Sequence, residues 1–331
     1  MLAIAAQAAP SGVVQAAHTG SILAVSASHL SGRALIASGG HDGTIAIHDG
    51  ELRTLHRIPA FGGAIFSLTT HALPDGVLLA AGTHSRVVRL YQLMDDAEPL
   101  ELWTSRQHTG WVRALTFATR RSAAATRPDR LVSIGCNRLL SWGLDASADD
   151  ACEPEIEHAL YEDEIGVRSH DIFSLCHVGA AEALAAGSVD GALRRWSTAG
   201  EAGVATSLRD RAPLHWDSGH GRVSGVAFLR SGLVSAGYDG RIRRWTDEAA
   251  VAAEADAGRG SRVLSLSADG DAVYCATAAG EVVRFDDELR EHDRTVLPAV
   301  DAGDVRATAV AAIDGGGCVC GDSAGRLHRM D

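Results

Sequence analysis

Apolar residues gather in short runs along this chain, and the clearest set lies between Gly219 and Trp245, which reads GHGRVSGVAFLRSGLVSAGYDGRIRRW. Val223–Phe228 and Leu233–Ala236 are apolar. Arg241–Trp245 follows them as a third run, and Tyr238-Asp239-Gly240 separates the last two. Asp-Gly between such runs predicts a tight hairpin, because Gly tolerates positive φ and Asp caps its own turn. The stretch therefore predicts three short antiparallel strands. His220, Ser235, Asp239 and Trp245 make sense as one set within it. A half-buried carboxylate at a hairpin needs donors. An imidazole N–H from the preceding loop supplies one, the other ring nitrogen bonds the Ser hydroxyl, and the Ser bonds the indole N–H.

The same grammar recurs along the chain. A first unit has His18, Ile22–Val25, Ile36–Ser38, the turn His41-Asp42-Gly43 and Thr44–His48. A second has Ile65–Leu68, Leu78–Ala81, His84-Ser85-Arg86 and Val87–Tyr91. The third has His108, Val112–Phe117, Leu131–Ser133, Asn137 and Leu139–Trp142. The fourth has His170, Ile172–Leu175, Leu184–Ala186, Asp190-Gly191 and Ala192–Trp196. After the opening stretch comes a sixth, with Val263–Leu266, Val273–Cys275, Ala279-Gly280 and Glu281–Phe285. A seventh has Val305–Val310, Cys318–Cys320, Ala324-Gly325 and Arg326–Met330. The closing positions, His48, Tyr91, Trp142, Trp196, Trp245, Phe285 and Met330, stand roughly 40–54 residues apart, close to a known repeat period. Short strands at regular spacing with Gly-containing turns predict an all-β fold.

The stretch around His220 resembles a WD40 repeat, whose signature is Gly-His near the start and Trp-Asp at the end. Trp245 is followed by Thr246, so the second letter is lost here, whereas His48-Asp49 stands where Trp-Asp would in the first unit. The resemblance runs over essentially the whole chain. It implies a seven-bladed WD40 β-propeller as a single domain over residues 1–331, with repeats near 18–49, 60–93, 108–144, 170–198, 219–247, 260–287 and 302–331. It also implies that His220, Ser235, Asp239 and Trp245 form the structural tetrad of such repeats. Asp331 lies one residue past the third strand of the seventh unit. The outer strand of that blade is therefore expected from the N-terminal segment 2–17, since folded proteins avoid an unpaired edge.

Two stretches lengthen the intervals. Arg120–Arg130 reads as a loop insertion between strands. Asp145–Glu164 carries nine carboxylates and no Arg, and is expected to be a solvated excursion, able as an alternative to bind a basic partner.

Composition changes the picture mainly by exclusion. The net charge is −12, from 42 acidic and 30 basic residues, which argues against a general nucleic-acid or anionic-membrane binder. Every basic residue is Arg, so each cation is a planar, bidentate donor suited to interfaces. The six Cys are scattered and form no CxxC, which fits a reducing compartment and a cytoplasmic (or nuclear) location. Cys318 and Cys320, with His328 nearby, could be imagined as a metal site but read better as small buried apolar side chains. The apolar start MLAIAAQAAP has no basic n-region, and no run is long enough to predict a membrane span.

Ser235, His220 and Asp239 could also be read as a catalytic triad. No nucleophile elbow is present, however, and fragments of the set recur through the chain. HExxH, P-loop and a helix-opening GxGxxG are also missing. The expectation is no catalytic residue, no cofactor and no metal. The resemblance implies a non-catalytic protein-interaction scaffold, whose partners are proteins or peptides rather than nucleic acid or membrane. A propeller-type hydrolase or esterase is one alternative. A ubiquitin-ligase substrate receptor is another, but the Trp-Asp-x-Arg tetrapeptide of such receptors is replaced by Trp142-Gly143-Leu144-Asp145, Trp196-Ser197-Thr198-Ala199 and Trp245-Thr246-Asp247-Glu248.

In a WD40 propeller one mouth of the channel is surrounded by the residues just before each innermost strand. Here these are Ser21, Ala64, Trp111, Asp171, Arg222, Arg262 and Asp304. The residues before each turn position, His41, His84, Cys136, Val189, Tyr238, Ala278 and Ser323, join them. Trp111, Tyr238, Arg222 and Arg262, with His41 and His84, are the residue types of an interface and the candidate partner-binding set. The alternative is that Trp111 packs on a neighbouring loop and the Arg residues pair with Asp171 or Asp304.

Overall fold

The computed structural model describes residues 13–14, 16–59, 62–118, 128, 130–135, 138–144, 156–159, 172–178, 183–197, 214–299, 305–313 and 316–331. Strand β1 (Val13–Val14) stands apart from the blade that follows it in sequence. Blade one is β2 (Ile22–Leu30), β3 (Arg33–Gly40), β4 (Ile45–Asp49) and β5 (Thr54–Ile58); blade two is β6 (Ile65–Leu73), β7 (Gly76–Thr83), β8 (Val88–Leu93) and β9 (Leu100–Ser105). Blade three is β10 (Val112–Ala118), β11 (Arg130–Gly135), β12 (Arg138–Gly143) and β13 (Ile156–Ala159); blade four is β14 (Ile172–Val178), β15 (Ala183–Ser188), β16 (Ala192–Ser197) and β17 (Leu214–Asp217). Blade five is β18 (Val223–Leu229), β19 (Gly232–Gly237), β20 (Arg241–Trp245) and β21 (Val251–Asp256); blade six is β22 (Val263–Asp269), β23 (Ala272–Thr277), β24 (Glu281–Phe285) and β25 (Glu291–Val296). Blade seven is β26 (Ala307–Ala312), β27 (Cys318–Asp322) and β28 (Leu327–Met330), and β1 completes it as fourth strand.

The closing contact is short. Val13 lies opposite His328 and Val14 opposite Leu327, antiparallel. It joins the first described strand of the chain to the last, so the ring is fastened by hydrogen bonds as well as by packing.

Each blade buries its faces against its neighbours. Seven apolar clusters result, one at each junction, the last joining Ile22 and Ile36 of blade one to Val319 and Leu327 of blade seven. Innermost strands of adjacent blades do not pair as a sheet. Hydroxyl side chains tie several of them instead: Ser224 donates to the Val263 carbonyl (2.6 Å), Thr308 donates to the Ile22 carbonyl (2.6 Å), and the Val310 N–H donates to Ser265 (3.2 Å).

Two expectations need correction. The acidic stretch Asp145–Glu164 contains β13, whose residues Ile156–Ala159 pair with Arg138–Ser141. It therefore carries the fourth strand of blade three and is not wholly a solvated excursion; Ile156 and Ala159 supply strand residues between the carboxylates. The outer strands of the other blades also lie between the repeat bounds read from the sequence. They were illegible because an edge strand needs only one half-buried face; β21 (VAAEAD) and β25 (EHDRTV) are mostly exposed. In the Arg120–Arg130 insertion, all but Pro128 and Arg130 lie outside the described residues.

Candidate functional site

The candidate site is the channel mouth, and the hairpins that frame it explain its shape. In blade five the Trp245 indole N–H donates to Ser235 Oγ (2.8 Å), the Ser235 hydroxyl donates to His220 Nε2 (2.8 Å), and His220 Nδ1–H donates to Asp239 Oδ1 (2.8 Å). The carboxylate can only accept, so Nδ1 carries the proton of the neutral ring, Nε2 accepts, and the hydroxyl donates to Nε2 while accepting from the indole. Arg243 Nη1 lies 2.7 Å from Asp239 Oδ2 and its Nε 2.6 Å from Glu254. Burial lowers the His220 pKa, outweighing Asp239, so the imidazole is neutral as the chain of bonds requires. Ser235 is 0% exposed and His220 2%. A hydroxyl so enclosed is already committed to two ring nitrogens, and the four side chains brace the β19–β20 hairpin against the loop before β18.

Blade one builds the brace without a Trp. His18 Nε2 lies 2.8 Å from Ser38 Oγ and His18 Nδ1 3.1 Å from Asp42 Oδ1. His48 occupies the Trp position and places its Nε2 3.1 Å from Ser38, while Nδ1 accepts from the Thr54 hydroxyl (3.3 Å). A neutral His48 thus does the work of an indole N–H. Burial, joined by the charges of His18 and Arg57, pushes its pKa down to about 4. In blade three His108 Nε2 reaches Ser133 (2.5 Å), and burial lowers its pKa to about 3.

Blade three keeps only this His–Ser contact, since His108 Nδ1 and the Trp142 indole nitrogen have no hydrogen-bond partner among the described residues. Whether a blade can place a His over its Ser goes with the residue that opens its turn. Blades one, three and five have Gly40, Gly135 and Gly237 there. A Cβ on Gly237 would sit 2.4 Å from His220 Cβ, and one on Gly40 or Gly135 would meet the ring of His18 or His108 at 2.5 or 2.6 Å. Blades two, six and seven have Thr83, Thr277 and Asp322, and these side chains take the turn's own N–H groups: Val87 to Thr83 (3.1 Å), Glu281 to Thr277 (3.1 Å) and Arg326 to Asp322 (2.9 Å). Asp322 also accepts from His328 (2.8 Å). Blade four opens its turn with Ser188, which bonds Asp190 and Arg194; His170 lies outside the described residues. The lost second letter of the blade-five signature has a local reason too. Asp49 and Asp286 accept the N–H groups of Arg53 (2.9 Å) and Arg290 (2.8 Å) in the turn to the outer strand, and Thr246 Oγ1 does the same for Ala250 (3.2 Å). Cys318 and Cys320 are buried, and burial raises the Cys318 thiol to about 12. Among the described residues no group of three or more His, Cys, Asp or Glu is disposed to hold a metal.

The mouth itself is shaped by a recurring irregularity. Every innermost strand breaks its pairing register at its second residue, at Leu23, Phe66, Arg113, Phe173, Ser224, Leu264 and Thr308. A bulge re-aims a side chain out of the pleat, and all seven of these residues line the channel, whose cavity is about 600 Å³. Those from blades two to four are large. Phe66 lies against Trp111 (ring centroids 5.7 Å) and His84 (5.9 Å), and His84 against Trp111 (4.7 Å). The Arg113 guanidinium sits 4.4 Å from the Phe66 centroid, 4.6 Å from Trp111 and 4.7 Å from Phe173. Arg222 follows, 3.7 Å from Phe173 and 4.7 Å from Tyr238, and Arg262 ends the series 4.9 Å from Tyr238. Rings and guanidinium groups thus alternate from blade two to blade six.

Of the sequence-based candidates, Trp111, Arg222, Tyr238, Arg262 and His84 are brought into this series. Trp111 packs on its neighbours and still remains 40% exposed. His41 is exposed at the equivalent turn of blade one and takes no part in it, and Ala64 is buried. Asp171, Asp304 and Cys136 lie outside the described residues, so the alternative Arg pairings with Asp171 or Asp304 do too. Phe66, Arg113 and Phe173 were missed. The only signal for them was a bulky or charged residue second in an inner run, where strict alternation would point it into a blade interface.

The family described as WD40: WD domain, G-beta repeat, matches residues 11–49. Among solved structures, the crystal structure of Chaetomium thermophilum Raptor is similar, with a TM-score of 0.75 and 17% sequence identity over 98% of this chain. This chain spans 29% of that one, and at such identity the likeness is one of fold. No curated protein matches the sequence. With seven four-stranded blades closed into a ring, the chain is a seven-bladed β-propeller whose first blade matches the WD repeat.

Proposed function

We propose that this propeller is a non-catalytic interaction scaffold that holds a segment of a partner protein across the mouth bordered by His84, Trp111, Arg222, Tyr238 and Arg262. The observation that carries the reading is the alternating ring and guanidinium series, with Trp111 40% exposed at its rim. Trp, Tyr and Arg dominate interface hot spots; the two aromatics bury large areas with few rotors, and the planar Arg fork binds acceptors bidentately. WD40 propellers generally bind other proteins and are generally without catalysis, which supports the same reading.

The test is a tagged pull-down with partners identified by mass spectrometry, comparing wild type, Trp111→Ala and Arg33→Ala. Arg33 is exposed at the β2–β3 turn, at the other end of the strands. Trp111→Ala should lose partners through a weakening of about 2 kcal/mol or more, with an unchanged melting curve. Equal recovery by all three proteins removes this face from consideration.

A further inference from the structure

Several arginines buried against the blades of this acidic chain are held by carboxylates. Arg243 is held by Asp239 and Glu254, Arg294 by Glu281 and Glu291, and Arg326 by Asp322. Arg222 and Arg262 differ. Each meets an aromatic face, and neither forms an ion pair with a carboxylate among the described residues. Arg222 Nε is buried and has no hydrogen-bond partner. A guanidinium stacked on a ring is held flat, which leaves the N–H edge free for a planar bidentate acceptor and reduces the rotamer entropy that binding must remove. Two such edges, both against Tyr238, are present in a molecule of net charge −12.

Resting on the scaffold reading above, we propose that the Arg222–Tyr238–Arg262 edge is a subsite for the carboxylates of an acidic peptide segment of the partner, with the exposed Trp111 face taking an apolar side chain of the same segment.

Two competing ligand classes fit less well. A cationic side chain, such as a methylated lysine, needs open ring faces. Here Phe66, Trp111 and Phe173 surround Arg113, and Tyr238 carries two guanidinium groups, so the cation positions are filled by the protein itself. A single-stranded nucleic acid needs several rings on which successive bases can stack, whereas guanidinium groups lie over Phe66, Phe173 and Tyr238 and leave Trp111 as the exposed ring of this series. A long polyanion would also be opposed by the net charge of −12. A short acidic segment feels chiefly the local cations, since more distant charge is screened within about 8–10 Å at physiological salt.

The experiment selects a displayed library of random dodecapeptides on the full-length protein, on Arg222→Gln/Arg262→Gln, and on Trp111→Ala. Binding of an enriched peptide, its Asn/Gln isostere and an oligo-dT strand is then measured by fluorescence polarisation. Wild type should enrich Asp and Glu beside an apolar residue. The double variant should bind the enriched peptide at least about tenfold more weakly with an unchanged melting curve, and Trp111→Ala should lose the apolar preference while keeping the acidic one. The isostere should bind as weakly as the double variant does. No enrichment of Asp and Glu, equal binding of the isostere or by the double variant, or tighter binding of oligo-dT overturns the proposal. If Trp111-dependent pull-down partners survive any of those results, the scaffold reading stands and only the acidic subsite falls; if Trp111 dependence is lost as well, both fall.

Discussion

Acid should unfold this propeller well before its carboxylates titrate. Burial holds His48 at about 4 and His108 at about 3, from an ordinary 6.5. In the unfolded chain both regain the ordinary value. Between pH 6.5 and the folded pKa, the unfolded state therefore binds protons that the folded state refuses, and stability is lost as the pH falls. It is fully present above pH 6.5. At pH 5 each residue contributes a loss of about 2 kcal/mol, at 1.36 kcal/mol per pH unit. The two lie on different blades, so their losses add to about 4 kcal/mol, a large share of a typical stability of about 5–15 kcal/mol. Burial also lowers His18 and His220, which act in the same direction. Urea denaturation followed by tryptophan fluorescence at pH 7 and pH 5 measures the difference. His48→Phe removes one titrating group at a position where blade six already has Phe285, and should reduce the loss between the two pH values by about 2 kcal/mol. A wild-type loss below about 1 kcal/mol, or an unchanged loss in His48→Phe, refutes the reasoning.

Other perturbations separate the parts of the fold. Asp239→Ala leaves the His220 N–H without its acceptor and should cost about 1–3 kcal/mol, read by thermal melting. Gly237→Ala should cost a similar amount, because its Cβ would lie only 2.4 Å from both His220 Cβ and the Arg222 carbonyl oxygen; the two together should cost less than their sum, since both act on one imidazole. Deleting residues 1–15 removes Val13 and Val14 from blade seven and should lower the melting temperature or cause aggregation. Replacing Ile156–Ala159 with Gly and Ser should also lower the melting temperature, because it removes the outer strand of blade three; an unchanged melt would return that stretch to the status of a loop.

By itself the sequence determined the strands that bury both faces. β2–β4 and their counterparts in the other blades are legible because apolar runs and Gly-containing turns recur at one period, and because His220, Ser235, Asp239 and Trp245 need one another chemically. The role of the turn-opening residue came only with the structure: Gly40, Gly135 and Gly237 leave room for an imidazole, whereas Thr83, Thr277 and Asp322 cap the turn themselves. Tertiary structure alone decided the rest. The outer strands are defined by the edge they pair with, so β13 could be a strand inside a run of carboxylates once Arg138–Ser141 offered it hydrogen bonds. That Phe66, Arg113 and Phe173 meet at the mouth depends on bulges that turn them out of the pleat and on ring closure, which brings residues from separate repeats together. Repeat periodicity encodes each blade locally, while the surface between blades arises only when neighbouring blades are set side by side.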